Sequence, residues 1–350
     1  MRIKVSRANK NRIKLNRMKQ TDLGPLIILF LIVLWMRIDI KDEQDSLFSL
    51  RNSVVLRGLL SLLVVFDHLA PLYGKGVIMP LFGELGFIAV GVFFFLSGYG
   101  LMKQNLVRTD YHKGFIRKRL FKILIPYLCF TILYGLYYLL IGEAYSVVEV
   151  LLAFVKGDPI VSYSWYIMEI LLIYPIFYLS LLLCKKGGIR ILLFNMFSCA
   201  LLCLLFWVLA YRDVWYRSTY MYIAGLACAL YEKQLIRYLK RYWAITMSFS
   251  LIFVFILYGQ RHLFVLRQLC IQVLLMGLSY RFAFKNRFLE FTGSISLELY
   301  MVHGLVIKAV RRFISSEADL YGVMLILAFS YVGAWLMRIL FEKIVFKRKI

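Results

Sequence analysis

Residues 54–73 read VVLRGLLSLLVVFDHLAPLY, an apolar run long enough to cross a hydrocarbon core of about 30 Å, with ionisable side chains at Arg57, Asp67 and His68. Lipid makes such residues expensive to keep, so one inside a span marks function by default. Arg57 and His68 stand 11 residues apart. At about 100° and 1.5 Å per residue, a helix returns them to nearly the same face, separated by roughly 16 Å. One helix thus holds a permanent cation toward one membrane surface and a proton-exchanging imidazole toward the other. That placement suits moving a group from a charged donor on one side to an acceptor on the other.

The rest of the chain reads the same way. It is 350 residues long and 62% hydrophobic, with a mean hydropathy of +0.75, where a soluble protein uses about 45–50% apolar residues. The reading is all-α: a polytopic membrane protein, a bundle of about ten transmembrane helices. The expected spans are 54–73, 85–102, 123–141, 165–184, 191–210, 218–231, 243–258, 263–280, 294–309 and 321–341, the sixth and seventh being short. Three segments follow: a basic N-terminal segment 1–53, a transmembrane domain 54–341 and a basic tail 342–350.

The net charge of +24 suggests nucleic acid until the basic residues are placed. They fall in short loops between spans, which excludes nucleic acid and sets topology. Alternate loops, 103–122, 185–190, 232–242, 281–290 and 338–350, together hold 22 Lys and Arg, against 9 in the opposite set. The first set is read as cytoplasmic, which puts both ends of the bundle and Arg57 inside and His68 in the outer half. Met1–Gln20 carries eight basic residues and no acid, ahead of an apolar stretch, Leu23–Trp35. Two readings stay open. One is an interfacial helix with a basic tail on anionic lipid; the other is a start placed upstream of the true one, with Met36 as an internal candidate. The inside-facing N-terminus is preferred.

Several further residues can carry chemistry. His68 follows Asp67 and can serve as a general base, or as a hydrogen-bonded tie between helices. Ser296, Tyr300 and His303 form one polar stripe, with Glu298 on another face. His303 and Glu298 are candidates for charged or proton-sharing pairs with other helices. Arg117, Lys118, Arg119 and Lys122 stand before the third span, where they can hold phosphates or act as a topogenic stop signal. Glu169 is a mid-span carboxylate, which needs a partner or a proton. Trp165 and Tyr166, one turn earlier, are interface belt residues or a stacking platform for a sugar. Ser97–Gly98 reads as a small pair that lets helices approach. His112 and His262 read as solvated. The six cysteines show no metal-ligand spacing beyond the i,i+4 pair Cys199 and Cys203, and are read as buried free thiols with no metal expected.

These marks resemble acyltransferase family 3, integral membrane O-acyltransferases that modify bacterial surface glycans and related acceptors. Arg57–Gly58 leads to His68 as in the family's Arg-ten-His pattern. Gly91–Gly98 is similar to its second-helix stretch, Arg119–Pro126 to its basic motif, and Ser296–His303 to its late Ser-x-x-x-Tyr-x-x-His stretch. One departure is that the basic motif usually reads Arg-x-x-Arg, whereas here Lys122 follows Arg119. Lysine keeps the charge and loses the bidentate fork.

The resemblance implies a cytoplasmic acyl-CoA donor, usually acetyl-CoA, and a hydroxyl acceptor on a cell-surface or exported saccharide or glycolipid. It implies a multi-pass protein of the bacterial cytoplasmic membrane, with membrane lipid and polysaccharide-synthesis proteins as partners. Arg57 and His68 carry over as essential, and Arg119 as part of the donor-side basic motif. On the residues' own reading, Lys122 and Arg117 join Arg119 on the donor side, His303 and Glu298 support the catalytic pair, and Glu169, Trp165 and Tyr166 belong to the substrate. The rival reading is a transporter or flippase in which Arg57, His68, Glu169 and His303 line a path for a polysaccharide precursor or protons. The two halves of the chain show no internal repeat of the kind many transporters carry.

Overall fold

In the computed structural model, residues 25–41, 46–73, 79–184, 187–314 and 320–345 are described. The expected basic stretch 1–20, and the last residues of the tail, lie outside them. The described chain is almost wholly helical. In order it runs α1 (Pro25–Leu34), strand β1 (Arg37–Ile40), α2 (Leu50–Tyr73), α3 (Met79–Phe82) and α4 (Leu85–Val107). A π-turn (Ile116–Leu120) leads into α5 (Phe121–Leu140), then α6 (Val147–Val155), α7 (Trp165–Leu183) and α8 (Gly188–Val208). Next come α9 (Thr219–Leu230), α10 (Glu232–Ile256), α11 (Phe264–Arg281), strand β2 (Phe282–Lys285), α12 (Arg287–Ser294), α13 (Ser296–Phe313) and α14 (Leu320–Leu340).

Every expected window holds a helix, and the protein is an all-α polytopic membrane protein. Among the described residues, seven helices are long and apolar enough to cross a bilayer, and the pair α12–α13, bent by 78°, makes an eighth if counted as one span. The other two windows differ for physical reasons. At 12 residues, α9 rises only about 18 Å. The 18 residues of α11 include Arg267, Gln268 and Gln272, which make it too polar. The 232–242 loop is itself helical: it forms the first half of α10, which kinks at Tyr242 (φ −122°, ψ 21°) before entering the expected span. The 142–164 loop contains α6, started by a capping box in which Ser146 and Glu149 satisfy each other's backbone N–H groups.

A ten-residue α1 rises about 15 Å, half of a hydrocarbon core. Directly after it, β1 pairs antiparallel with β2, Arg37 opposite Lys285 and Ile40 opposite Phe282. That partner strand lies in the 281–290 loop.

The chain divides into two compact units. One comprises Gly58–Ala89 and the described residues of 25–36 and from Asn286 onward; the other comprises the described residues of Arg37–Arg57 and Val90–Lys285. In the first, α12 crosses Gly58 so closely that a Cβ there would stand 2.1 Å from the Leu289 carbonyl oxygen. In the second, α4 and α9 cross through reciprocal glycines. A Cβ on Gly98 would meet the Tyr222 carbonyl oxygen at 2.1 Å, and one on Gly225 would meet that of Phe95 at 2.1 Å. The small Ser97–Gly98 pair therefore does what its residue types suggest, and Ser97 also hydrogen-bonds the Tyr174 hydroxyl at 2.9 Å. Buried Asn52 anchors the start of α2: its amide donates to the carbonyls of Ser279 (3.1 Å) and Phe282 (2.7 Å), and its oxygen accepts from Phe284 N–H (3.0 Å).

Because both atoms facing the glycines are backbone, neither side can yield. Gly225→Ala is expected to destabilise the protein by roughly 1–3 kcal/mol, the range for overpacking, read as a lower midpoint of thermal denaturation in detergent. Gly100→Ala, where an added Cβ meets nothing within 4 Å, is expected to leave it unchanged.

Candidate active site

His68 on α2 and His303 on α13, 235 residues apart in sequence, meet: Nδ1 of His68 lies 2.8 Å from Nε2 of His303. The ring planes differ by only 15°, with centroids 5.0 Å apart, so the contact is an in-plane hydrogen bond between imidazoles. His303 is fully buried, whereas the His68 side chain keeps 16% of its surface.

The second nitrogen of His303 fixes the direction of this bond. Its Nδ1 lies 3.1 Å from the Leu299 carbonyl oxygen, and a carbonyl only accepts. The proton of the neutral ring is therefore on Nδ1, which leaves a lone pair on Nε2. His68 must then donate from Nδ1, and its own lone pair is on Nε2. A helix carbonyl on α13 thus decides which nitrogen of His68 is basic.

Next to that nitrogen stands the Asp67 carboxylate, Oδ2 3.9 Å from His68 Nε2. This is too long for a hydrogen bond, but close enough to favour a positive charge on the ring. Asp67 is held by Gly86, whose N–H donates to Oδ1 at 3.2 Å. A Cβ at position 86 would come within 2.4 Å of the Asp67 Cγ, so only glycine fits here.

Glu298 does not join this pair. Five positions from His303 on α13, it points about 140° away. Nearly fully buried, it faces Arg338 of α14, whose Nη1 is 3.5 Å from Oε1. Arg338 also binds Glu342 through Nε at 2.9 Å and Nη2 at 2.8 Å. Sequence reading did not single out Arg338. Its signal was a basic residue at the end of an apolar helix, which is also what topology alone produces.

The remaining residues lie in the other unit, at separate places. Arg57, half-buried, bonds the Ser53 carbonyl of its own helix through Nε at 3.3 Å. Arg119 and Lys122 line a cavity of about 310 Å³ together with Arg108, Lys113 and Lys118, with Asp110 the one acid on its wall. Arg117 is on the same π-turn and exposed, but not on that wall. Tyr111 also lines the cavity. Burial pushes its phenol up, against the pull of the Arg119 guanidinium beside it, so the hydroxyl stays a proton donor.

Glu169 on α7 is fully buried. Thr219 donates to its Oε1 at 2.5 Å, and its Oε2 has no hydrogen-bond partner among the described residues. Trp165 and Tyr166, both half-buried, pack on the phenylalanines of α4: the Tyr166 ring stands edge-on to Phe94 at 4.8 Å and the Trp165 ring is 6.4 Å from Phe94.

Residues 54–339, which include the paired histidines, the basic cavity and Glu169, match the model of a family described as Acyltransferase domain. No curated protein and no solved structure matches the chain.

The Glu298–Arg338 pair yields a stability prediction. Arg338→Met leaves a buried carboxylate without its cation. It is expected to cost about 3 kcal/mol, the low end for breaking a buried pair, because Arg338 is partly exposed. Adding Glu298→Gln to that variant is expected to recover most of the loss. Thermal denaturation of the single and double variants checks both.

Proposed function

This chain belongs to the acyltransferase domain family and is a membrane acyltransferase, and from that premise we propose that it moves an acetyl group from cytoplasmic acetyl-CoA to a hydroxyl of a cell-surface or exported saccharide. The observation that carries this reading is the directed hydrogen bond from His68 to His303, which leaves His68 Nε2 as the basic atom. A hydroxyl is a poor nucleophile at neutral pH because its own acidity is negligible, so a positioned base is what acyl transfer requires.

In the proposed reaction His68 Nε2 takes the proton of the acceptor hydroxyl as its oxygen attacks the thioester carbonyl. The C–S bond breaks, the ester C–O bond forms, and the imidazolium returns its proton to the departing thiolate, giving coenzyme A. The ring becomes positive during attack; Asp67 at 3.9 Å stabilises that charge. His303 touches neither reactant. It is a positioning residue that fixes the His68 tautomer.

On the donor side, Arg119, Lys122 and the other cations of the basic cavity are proposed to hold the phosphates of acetyl-CoA, with the Tyr111 hydroxyl as a neutral donor. Five cations around one acid suit a polyanion. Lys122 supplies a point charge in place of an arginine's two parallel hydrogen bonds. Arg57, roughly 16 Å from His68 along α2 by helical rise, is proposed to orient the donor. Glu169, Trp165 and Tyr166 are proposed on the acceptor side, and Glu298 as support for the bent span that carries His303. The site residues, the two substrates and the placement in a bacterial cytoplasmic membrane with its termini inside belong to this reading.

Purified protein in lipid discs, given radiolabelled acetyl-CoA and a set of bacterial surface glycans, is expected to yield a labelled covalent product. His68→Ala is expected to lower that rate about 10²–10⁴-fold, the usual contribution of a general base, at unchanged protein abundance. Arg119→Ala with Lys122→Ala is expected to raise the KM for acetyl-CoA more than it lowers kcat. Normal labelling in His68→Ala would remove that residue from the mechanism. Failure of the wild type to label any glycan would remove the saccharide acceptor.

A further inference from the structure

The reaction proposed above leaves the polar groups of α11 unused. Arg267, Gln268 and Gln272 are buried, at 6%, 1% and 4% exposure. Gln268 and Gln272, four residues apart, stack on one face with Arg267 beside them. A lipid-facing helix has no reason to carry them, and polar residues that tie helices together satisfy one another.

Gln268 follows that rule. Tyr220 donates its hydroxyl to Oε1, and Nε2 lies where an added Cβ on Gly91 would come within 1.6 Å, so the absence of a side chain at Gly91 makes the room for the carboxamide. Gln272 does not follow it. Neither its Oε1 nor its Nε2 has a hydrogen-bond partner among the described residues. Next to a carboxamide that is held in place, a second one is buried with its donor and its acceptor both unmet.

The pattern of unmet atoms selects the ligand. A phosphate or carboxylate only accepts, so it would leave Oε1 of Gln272 facing another acceptor. An acyl chain would satisfy neither atom. A hydroxyl both donates and accepts, and two neighbouring hydroxyls match a carboxamide at both ends.

We propose that Gln272, with Gln268 and Arg267 beside it, is a saccharide-binding stripe that holds ring hydroxyls of the acceptor; this rests on the saccharide acceptor proposed above. It makes Gln272 a specificity residue whose substitution changes sugar affinity and not donor affinity.

The test is direct binding of short neutral oligosaccharides of glucose, mannose and N-acetylglucosamine to the full-length protein in lipid discs, by saturation-transfer NMR and calorimetry. At least one is expected to bind wild type. Gln272→Leu is expected to weaken it about tenfold or more, with coenzyme A affinity unchanged and a thermal midpoint equal to or above wild type, because leucine removes an unmet amide. Gln272→Met, which keeps the length and loses the hydrogen bonding, gives the same answer should leucine not fold. Equal sugar affinity in the Gln272 variants, no binding of any oligosaccharide by wild type, or loss of coenzyme A binding instead would each overturn the stripe. Failure of the acyl-transfer reading looks different: wild type then binds sugar but forms no labelled product from acetyl-CoA.

Discussion

Two imidazoles bonded to each other inside a membrane protein face a problem of direction, since each ring offers one donor and one acceptor. Here a helix carbonyl, that of Leu299, takes the proton of one ring and thereby dictates the other. A net gain of about 0.5–1.5 kcal/mol for such a bond is modest, but its consequence is chemical rather than energetic: the unprotonated nitrogen of His68 becomes the one beside Asp67. The glycines of this unit keep that geometry in place. Gly58 admits α12 against α2, and Gly86 admits the Asp67 carboxylate.

Buried polar groups in this chain are met to different degrees, and three conditions stand out. Asn52 meets three backbone groups and is an anchor. Glu298 has a cation at Oε1, shared with Glu342, that holds α13 to α14, although its Oε2 is unmet among the described residues. Glu169 and Gln272 keep unmet hydrogen-bonding atoms among the described residues. Because low dielectric makes each unmet group costly, the third condition is where a substrate has most to supply.

Much of this was legible in the sequence. Apolar runs near 20 residues, with basic loops between them, located the helices because the bilayer demands both. His68, Arg57 and His303 stood out because ionisable groups in such runs need a reason. What could not be read was pairing: His68 and His303 are 235 positions apart, and nothing in a single sequence says which helices touch. Glu298 and His303 stand on different faces of one helix and were candidates for pairs with other helices, but their partners, Arg338 and His68, could not be named from one sequence. The helices α9 and α11 fall short of the other spans in length and apolarity, the first at 12 residues and the second through Arg267, Gln268 and Gln272. The strand pairing of β1 with β2 left no trace, since four residues each of mixed character carry no period long enough to read.

The account turns on which nitrogen of His68 carries the proton. With only four histidines in the chain, nitrogen-15 NMR of histidine-labelled protein in bilayers, with His68→Gln as the subtraction spectrum, resolves it. The expected spectrum shows His68 protonated at Nδ1 and bare at Nε2, with through-bond coupling from that N–H to Nε2 of His303. A His68 ring protonated at Nε2 instead, or two rings without coupling, would contradict the proposed base.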